Sequence, residues 1–433
     1  MEKSNVPRVA VIGSGISGLA VAWKLAELRA PAQVTLFEAG DHFGGHANTV
    51  DVTLNGISCG VDTGFLVFNP HTYPNLVRLF AALDVEVAPA EMSFSVQSGG
   101  LEWAGTSLSA VFAQRSNLLR PGHWAMLADI VRFNRLARAL AAQQRDAGLQ
   151  QTIGEFLDQH RFGVPFRDGY LLPMIACIWS CPSEQMLRFP VGTLIRFCHN
   201  HGLIQLTNRP PWFTVRGGSA RYVQKMVARL SDARLSTPVL AVRRSAAGVR
   251  LITPQGPESF DAVVFACHSD QALQLLGDGA TAAERRLLGA IRYHPNTAVL
   301  HTDAALLPRR RRAWAAWNYE RGRDTQQVCL HYLINRLQPL PWQQPVIVSM
   351  NPVREPDPAK VLRRLAYAHP VFDQSALRAQ QRLASLQGQQ RSWFCGAWCG
   401  YGFHEDGLKA GLAVAESLQA VLPQLVPEQR HAA

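Results

Sequence analysis

Val9-Ala10-Val11-Ile12-Gly13-Ser14-Gly15-Ile16-Ser17-Gly18 decides the fold of this 433-residue chain. Val9 to Ile12 are apolar and mostly β-branched, as in a strand buried on both faces. Gly13, Gly15 and Gly18 follow at G-x-G-x-x-G spacing. The first makes a tight turn, the second lets the backbone approach a pyrophosphate, and the third lets a helix pack close to the strand. Ile16 to Leu28 is apolar almost throughout, which predicts a buried helix whose first N–H groups face the phosphates. Gly13, Ser14, Gly15, Ile16, Ser17 and Gly18 are therefore candidate nucleotide-binding residues. A second strand, Val34-Thr35-Leu36-Phe37, ends on Glu38, about 20 residues past the last glycine, where a ribose-binding carboxylate is expected. A glutamate there accepts from ribose hydroxyls and repels a 2′-phosphate, which leaves FAD or NAD and excludes NADP.

The chain is 47% hydrophobic and long enough for two or three domains with cores of their own. No run of 18 apolar residues is present and no signal peptide precedes the first strand, so neither a transmembrane helix nor export is expected. Eight cysteines are scattered without a C-x-x-C pair, so neither a metal site nor a disulfide framework is indicated. Reduced thiols fit the cytoplasm. The net charge of +11 is carried almost wholly by arginine. Such a surface suits nucleic acid, anionic lipid or an acidic substrate. Nucleic acid is set aside because no zinc finger, basic arm or aromatic RNA-binding motif accompanies the charge.

Beyond Glu38, Ala39 and a short polar loop lead to Gly44-Gly45-His46, a second glycine pair that permits another close approach to the same cofactor. Val61 to Phe68 reads as a strand broken by Asp62-Thr63-Gly64, and Leu76 to Leu83 as a helix. Residues 87–211 read as helices with proline and glycine breaks. Within them His123 to Gln144 is amphipathic, with Trp124, Leu127, Ile130, Val131 and Leu140 on the apolar side and Arg132, Arg135 and Arg138 opposite, a solvated face or a membrane-facing one. Gly169 to Trp179 is apolar all round and expected to be buried. His199 and His201, at i and i+2, are placed in a loop. Thr214 to Ser219 and the helix Tyr222 to Leu230 repeat the strand, glycine turn and helix. Residues 237–242 and 249–252 read as a hairpin, 260–266 as a buried strand, and 298–301, 328–333 and 346–350 as strands of a further sheet. Arg309 to Arg312 is a basic run. Phe394 to Gly407 is a second glycine-rich strand-to-helix turn.

These residues, Glu38 with Gly44-Gly45 and the turn from Phe394 to Gly407, resemble the flavin-containing amine oxidase superfamily and its phytoene-desaturase-like relatives. The resemblance spans essentially the whole chain. It implies an α/β, FAD-binding Rossmann-like domain of the glutathione-reductase-2 type, with a discontinuous α+β substrate domain containing a mixed sheet. On it, residues 1–86, 212–286 and 385–433 form the FAD-binding domain. Residues 87–211 and 287–384 form the helical and sheet parts of the substrate domain. It implies non-covalent FAD held also by Ala39, Gly44, Gly45 and His46, by Thr63, Gly64 and Phe65 near the flavin ring, by Val239 at the adenine end, and by Gly396, Ala397, Phe403, His404 and Gly407. With one βαβ nucleotide site there is no separate nicotinamide domain.

The departures are specific. His46 stands where the superfamily usually has arginine. No lysine lies between Leu287 and Asn351, where amine oxidases keep one beside flavin N5. Phe403 takes the place of an amine-caging tyrosine, and Ala397 that of a polar residue. Asp62-Thr63-Gly64-Phe65, Asn200-His201-Gly202-Leu203 and Gly402 to Gly407 are similar to a branch associated with cyclopropane-fatty-acid synthases. That branch implies oxidation of a lipid acyl chain, peripheral membrane contact and a lipid-modifying enzyme as partner. His404 and Glu405, next to Phe403 in the candidate catalytic group, are candidates to take a proton after hydride removal, or to cap the last helix. Two rivals stay open: a soluble amine oxidase, and a flavin-binding scaffold without activity.

Overall fold

The structure, a computed structural model, describes residues 6–27, 32–142, 151–179, 183–205, 209–321 and 328–425. Leu28, Gln144 and Cys181 lie outside the described residues.

Five parallel strands form the first sheet, in the order Ser392–Phe394, Ala262–Phe265, Arg8–Ile12, Gln33–Phe37 and Asp232–Arg234. Its alternating residues serve two cores. Val9, Val11, Leu36 and Val264 pack under the first helix, Ile16–Ala26, while Ala10, Ile12, Phe37, Val263 and Phe265 meet a three-stranded antiparallel sheet of residues 241–260. Burial on both faces explains the unbroken apolar runs. Nine of the eleven residues of the first helix are buried, because the last helix, His404–Leu425, lies across it. Gly407 and Gly411 make that approach possible: a Cβ at Gly407 would stand 2.8 Å from Ile16 Cγ2, and one at Gly411 2.4 Å from Ser17 O.

The second sheet is mixed, with seven strands in the order Val361–Val371, Arg292–His301, Ile347–Met350, Val328–Leu333, Trp317–Arg321, Phe94–Ser98 and Leu101–Ala104. All neighbours are antiparallel except Trp317–Arg321 with Phe94–Ser98. One face, with Ala298, Leu300, Leu330, Tyr332, Val348 and Met350, shares a core with the helices Pro121–Ala142, Ile153–Gln159, Leu172–Trp179 and Val191–Asn200. At about 1.5–3 kcal/mol per buried large side chain, this core is the main term holding the helical layer to the sheet. The opposite face carries a polar row. His301 Nε2 meets Ser349 Oγ at 2.7 Å, Ser349 Oγ meets His331 Nδ1 at 2.6 Å, and His331 Nε2 meets Glu320 Oε2 at 3.0 Å. Cys329 joins Glu320 and His331 there, their ligating atoms all within 4.8 Å of one another, a grouping the spacing in sequence did not announce.

Several expectations need correction. Residues 94–98 and 101–104, expected to be helical, are strands of the mixed sheet. Residues 49–54 pair with 57–62 as a hairpin that ends on Asp62. His199 and His201 close a helix rather than a loop, so at i and i+2 they point apart and share no ligand. On the long helix, His123, Met126, Ile130, Phe133 and Ala137 face inward, whereas Trp124 and Val131 are 50% and 55% exposed. Arg132 is not a free cation: it pairs with Asp129, donates to the carbonyls of His160 and Arg161, and stacks on Phe162.

Candidate active site

The site lies where the glycine turn of the first sheet meets the edge strand Val361–Val371 of the second. Gly13, at φ 99°, turns the chain under Ala266, a backbone region that favours glycine. A Cβ at Gly18 would stand 1.9 Å from Gly13 O, so the first helix can sit this close only with glycine there. At Gly15 a Cβ would meet nothing within 4 Å. That open volume lies at the mouth of a helix with no side-chain cap and no acid in its first turn, which leaves N–H groups and a positive dipole end free for an anion.

Ser14 and Glu38 form a clasp beside it. Glu38 Oε2 accepts from Ser14 N–H at 2.9 Å and from Ser14 Oγ–H at 2.6 Å, and Oε1 accepts from Gly40 N–H at 2.8 Å. Three donors fix the carboxylate and leave acceptor capacity for vicinal hydroxyls. Ala39 is exposed at the rim. Gly44 donates to Ser14 O and bridges to Gly15, and a Cβ at Gly45 would lie 3.2 Å from Gly15 Cα. The second glycine pair thus packs against the first.

His46 follows, its ring stacked on Tyr367 at 4.9 Å and 5.3 Å from His369. Its Nε2 is buried without a partner among the described residues. Burial holds His46 well below the ordinary imidazole range and His369 down to about 4, so both rings are neutral at neutral pH. His268, stacked on Tyr293 at 4.3 Å, completes this aromatic corner.

Asp62 ties the hairpin to two distant segments, the start of helix Ala220–Val227 and the end of the short helix Ile334–Leu337. It accepts from Thr49 Oγ1, from Ser219 N and Oγ, and from Gln338 Nε2. Burial nevertheless pushes its carboxyl up to about 6. Thr63 Oγ1 lies 2.8 Å from Tyr367 Oη, and Gly64 sits so close to His46 O that a Cβ would be at 2.3 Å. Phe65 stacks on His404 at 3.9 Å.

His404 opens the last helix, its Nε2 2.5 Å from Tyr222 Oη. Burial pushes the imidazole down to about 3. Glu405 is turned elsewhere: its two oxygens accept from the backbone N–H groups of Asn75 and Leu76 and from Asn75 Nδ2, capping helix Pro74–Ala82. Phe403 stacks on Phe197 at 4.9 Å and lies 5.8 Å from His201. A Cβ at Gly396 would strike Trp398, Ala397 starts a short turn, and Gly407 faces the first helix rather than the open volume. Val239 packs beside the three-stranded sheet. Tyr222, His268, Tyr293, Tyr367 and His369 carried no local signal in the sequence. They reach the site only through tertiary packing.

An anion-ready helix mouth, an anchored acid at the end of the second strand and an unpartnered buried imidazole nitrogen fit a dinucleotide, and with the mixed sheet they define a mixed α/β fold of the dinucleotide-binding class. Residues 16–333 match the flavin containing amine oxidoreductase family, and the chain belongs to that family. It is a flavin-dependent oxidoreductase whose cofactor is FAD. Part of it resembles tryptophan 2-monooxygenase of Pantoea agglomerans pv. gypsophilae, 41% identical over 78 residues, which is 18% of this chain and 11% of that protein. Three solved structures share the fold over 96% of this chain. They are putrescine oxidase with putrescine bound (TM-score 0.69, 15% identity, 99% of that chain), a CLA-producing fatty acid isomerase from P. acnes (0.67, 15%, 99%), and cyclohexylamine oxidase from Brevibacterium oxydans IH-35A (0.63, 16%, 100%).

Proposed function

We propose that the enzyme removes hydride from an allylic or branched carbon of a long apolar substrate, a membrane-lipid acyl chain, and that the neighbouring carbon then gives its proton to solvent, as a desaturase or oxidase. The bound flavin supplies the hydride acceptor; the residues of this chain position the C–H bond and exclude water. The observation that carries the reading is the aromatic wall on the ring of Phe403, whose backbone N–H is held by the Asp406 carboxyl. Phe197 and His201 pack on it, Trp179 lies 4.9 Å from Phe197, and Trp212 stacks on His201 at 6.2 Å. Burial holds His201 down to about 4, so it adds no charge. An ammonium against this wall would gain about 2 kcal/mol of cation–π attraction, less than the several kcal/mol that burying an ion costs. An acyl chain meets no such deficit. The lysine-free stretch from Leu287 to Asn351 points the same way.

His404 and Glu405 serve this site as positioning residues. Glu405 has both oxygens committed to another helix, and His404 is too weak a base at neutral pH to take a proton efficiently. Gly13 to Gly18, Glu38, Gly44 to His46 and Thr63 to Phe65 hold the cofactor. A protein with this substrate works in the cytoplasm at a membrane surface, beside a lipid-modifying enzyme. The test is anaerobic mixing of purified protein with phospholipid extracts and, separately, with primary amines and polyamines, alongside lipid profiling of cells with and without the gene. Flavin bleaching by lipid and an altered acyl profile are expected. Bleaching by amines with an unchanged profile overturns the proposal.

A further inference from the structure

Six of the eleven large apolar side chains exposed among the described residues fall between positions 108 and 164. Four are gathered within residues 108–124: Leu108 is 80% exposed, Leu118 49%, Leu119 88% and Trp124 50%. They are one surface rather than scattered singles. Trp124 Nε1 donates to Leu118 O, and its ring lies 5.3 Å from Phe112, one residue past the short helix Leu108–Val111. That short helix packs in turn on the turn Arg311–Ala313.

The rim of this patch is basic. Arg115, Arg120, Arg309, Arg311 and Arg312 are exposed, and none pairs with a carboxylate among the described residues. Arg310 is excluded because Glu102 holds it. No aspartate or glutamate occurs from Trp103 to Ala128 or from Ala304 to Tyr319. Exposed leucines with a tryptophan at their edge, ringed by five guanidinium groups without a carboxylate partner against one buried acid, Glu102, which Arg310 neutralises, are what an anionic lipid interface recognises. Scattered apolar residues on an ordinary surface need no partner. A cluster with one sign of charge around it does.

We propose that this surface docks the protein on anionic bilayers, with Leu108, Leu118, Leu119 and Trp124 entering the interface and the five arginines meeting headgroups. No helix of the described residues is long and apolar enough to cross a membrane, so the contact is interfacial. It gives the acyl-chain reading above a place where substrate is met, but its measurement needs no turnover.

The test is co-sedimentation of flavin-loaded protein with vesicles of phosphatidylglycerol and phosphatidylcholine, against phosphatidylcholine alone, at low and high salt. The expected result is at least 30-fold tighter partition onto the anionic vesicles, reduced by salt. L108E/L119E and R311Q/R312Q should each lose 10-fold or more while keeping flavin content and melting temperature. Equal partition onto both vesicles, no partition, or unchanged binding in both variants overturns the proposal. So does self-association that L119E abolishes without any vesicle binding. If docking fails while lipid still bleaches the flavin, the surface is wrong and the substrate reading survives. Docking without bleaching gives the reverse.

Discussion

Gly15→Ala and Gly18→Ala differ by three residues and should fail in opposite ways. Gly15 has φ −59° and ψ 172°, extended backbone open to any residue, and an added Cβ meets nothing within 4 Å. The folded apoprotein should therefore lose no more than the helix N-cap preference, about 0.5–1 kcal/mol. The new methyl occupies the volume at the helix mouth, however, and pushes a diphosphate away from the first N–H groups. Hydrogen bonds to a charged group contribute about 1.5–3 kcal/mol each. Losing two gives roughly 3–6 kcal/mol, so FAD affinity should fall by at least about 100-fold. At Gly18 the Cβ would be 1.9 Å from Gly13 O. No rotamer relieves a backbone clash, so the helix must leave the strand, and this variant should lose folded protein as well as flavin. The assay is FAD titration of apoprotein by fluorescence quenching, paired with thermal unfolding of the apo forms. If Gly15→Ala purifies with stoichiometric flavin at unchanged affinity, the cofactor does not sit at Gly15 and the reasoning fails. If its apo form melts as low as Gly18→Ala, the reading of open space there is wrong.

Asp62→Asn removes a buried charge yet should destabilise by about 2–4 kcal/mol, because its oxygens face Thr49, Ser219 and Gln338 as donors and an amide would set N–H against N–H; an unchanged melting temperature refutes this. Burial opposes charge on His331, but Cys329 and Glu320 outweigh it and hold the imidazole up to about 9. Since this lies above the unfolded value, its contribution is complete below pH 6.5 and lost as pH rises through 9. Melting temperature should fall over that window, and Glu320→Gln should flatten the fall; parallel curves for both proteins contradict the pairing. The described residues form one glycine turn of the dinucleotide-binding kind, so stopped-flow mixing with NADH or NADPH should leave the flavin oxidised, and rapid bleaching would reveal a nicotinamide site.

The nucleotide half was readable because its signals are local: an apolar strand, glycines at fixed spacing and an acid at a set distance. The mixed sheet was only partly so. Two of its strands are short: Phe94–Ser98 carries Ser95, Gln97 and Ser98 and pairs with Trp317–Arg321 more than 200 residues on, and Leu101–Ala104 joins the sheet only through Phe94–Ser98. Strand Val361–Val371 lies at a sheet edge and holds exposed Arg363 and Arg364, so it shows no clean alternation. In the site, Glu38 was found by position, while Tyr367 and His369 come from that same edge strand. Glu405 shows the opposite hazard. An acid beside a histidine invited a chemical role, but its partners, Asn75 and Leu76, are fixed only by the fold.

The last helix on the first has a consequence for synthesis. Strand Ser392–Phe394 and helix His404–Leu425 complete the sheet and cover the helix that Arg8–Ile12 and Ile16–Ala26 begin more than 350 residues earlier. While the ribosome is still short of them, Ile16, Ser17 and Ala20 have no Gly407 or Gly411 to pack against. The glycine turn is thus made long before the helix that seals it. Flavin loading should wait for residues 392–425, and a chain ending at residue 391 should be cleaved readily by protease and hold no FAD, despite carrying every residue of the first motif.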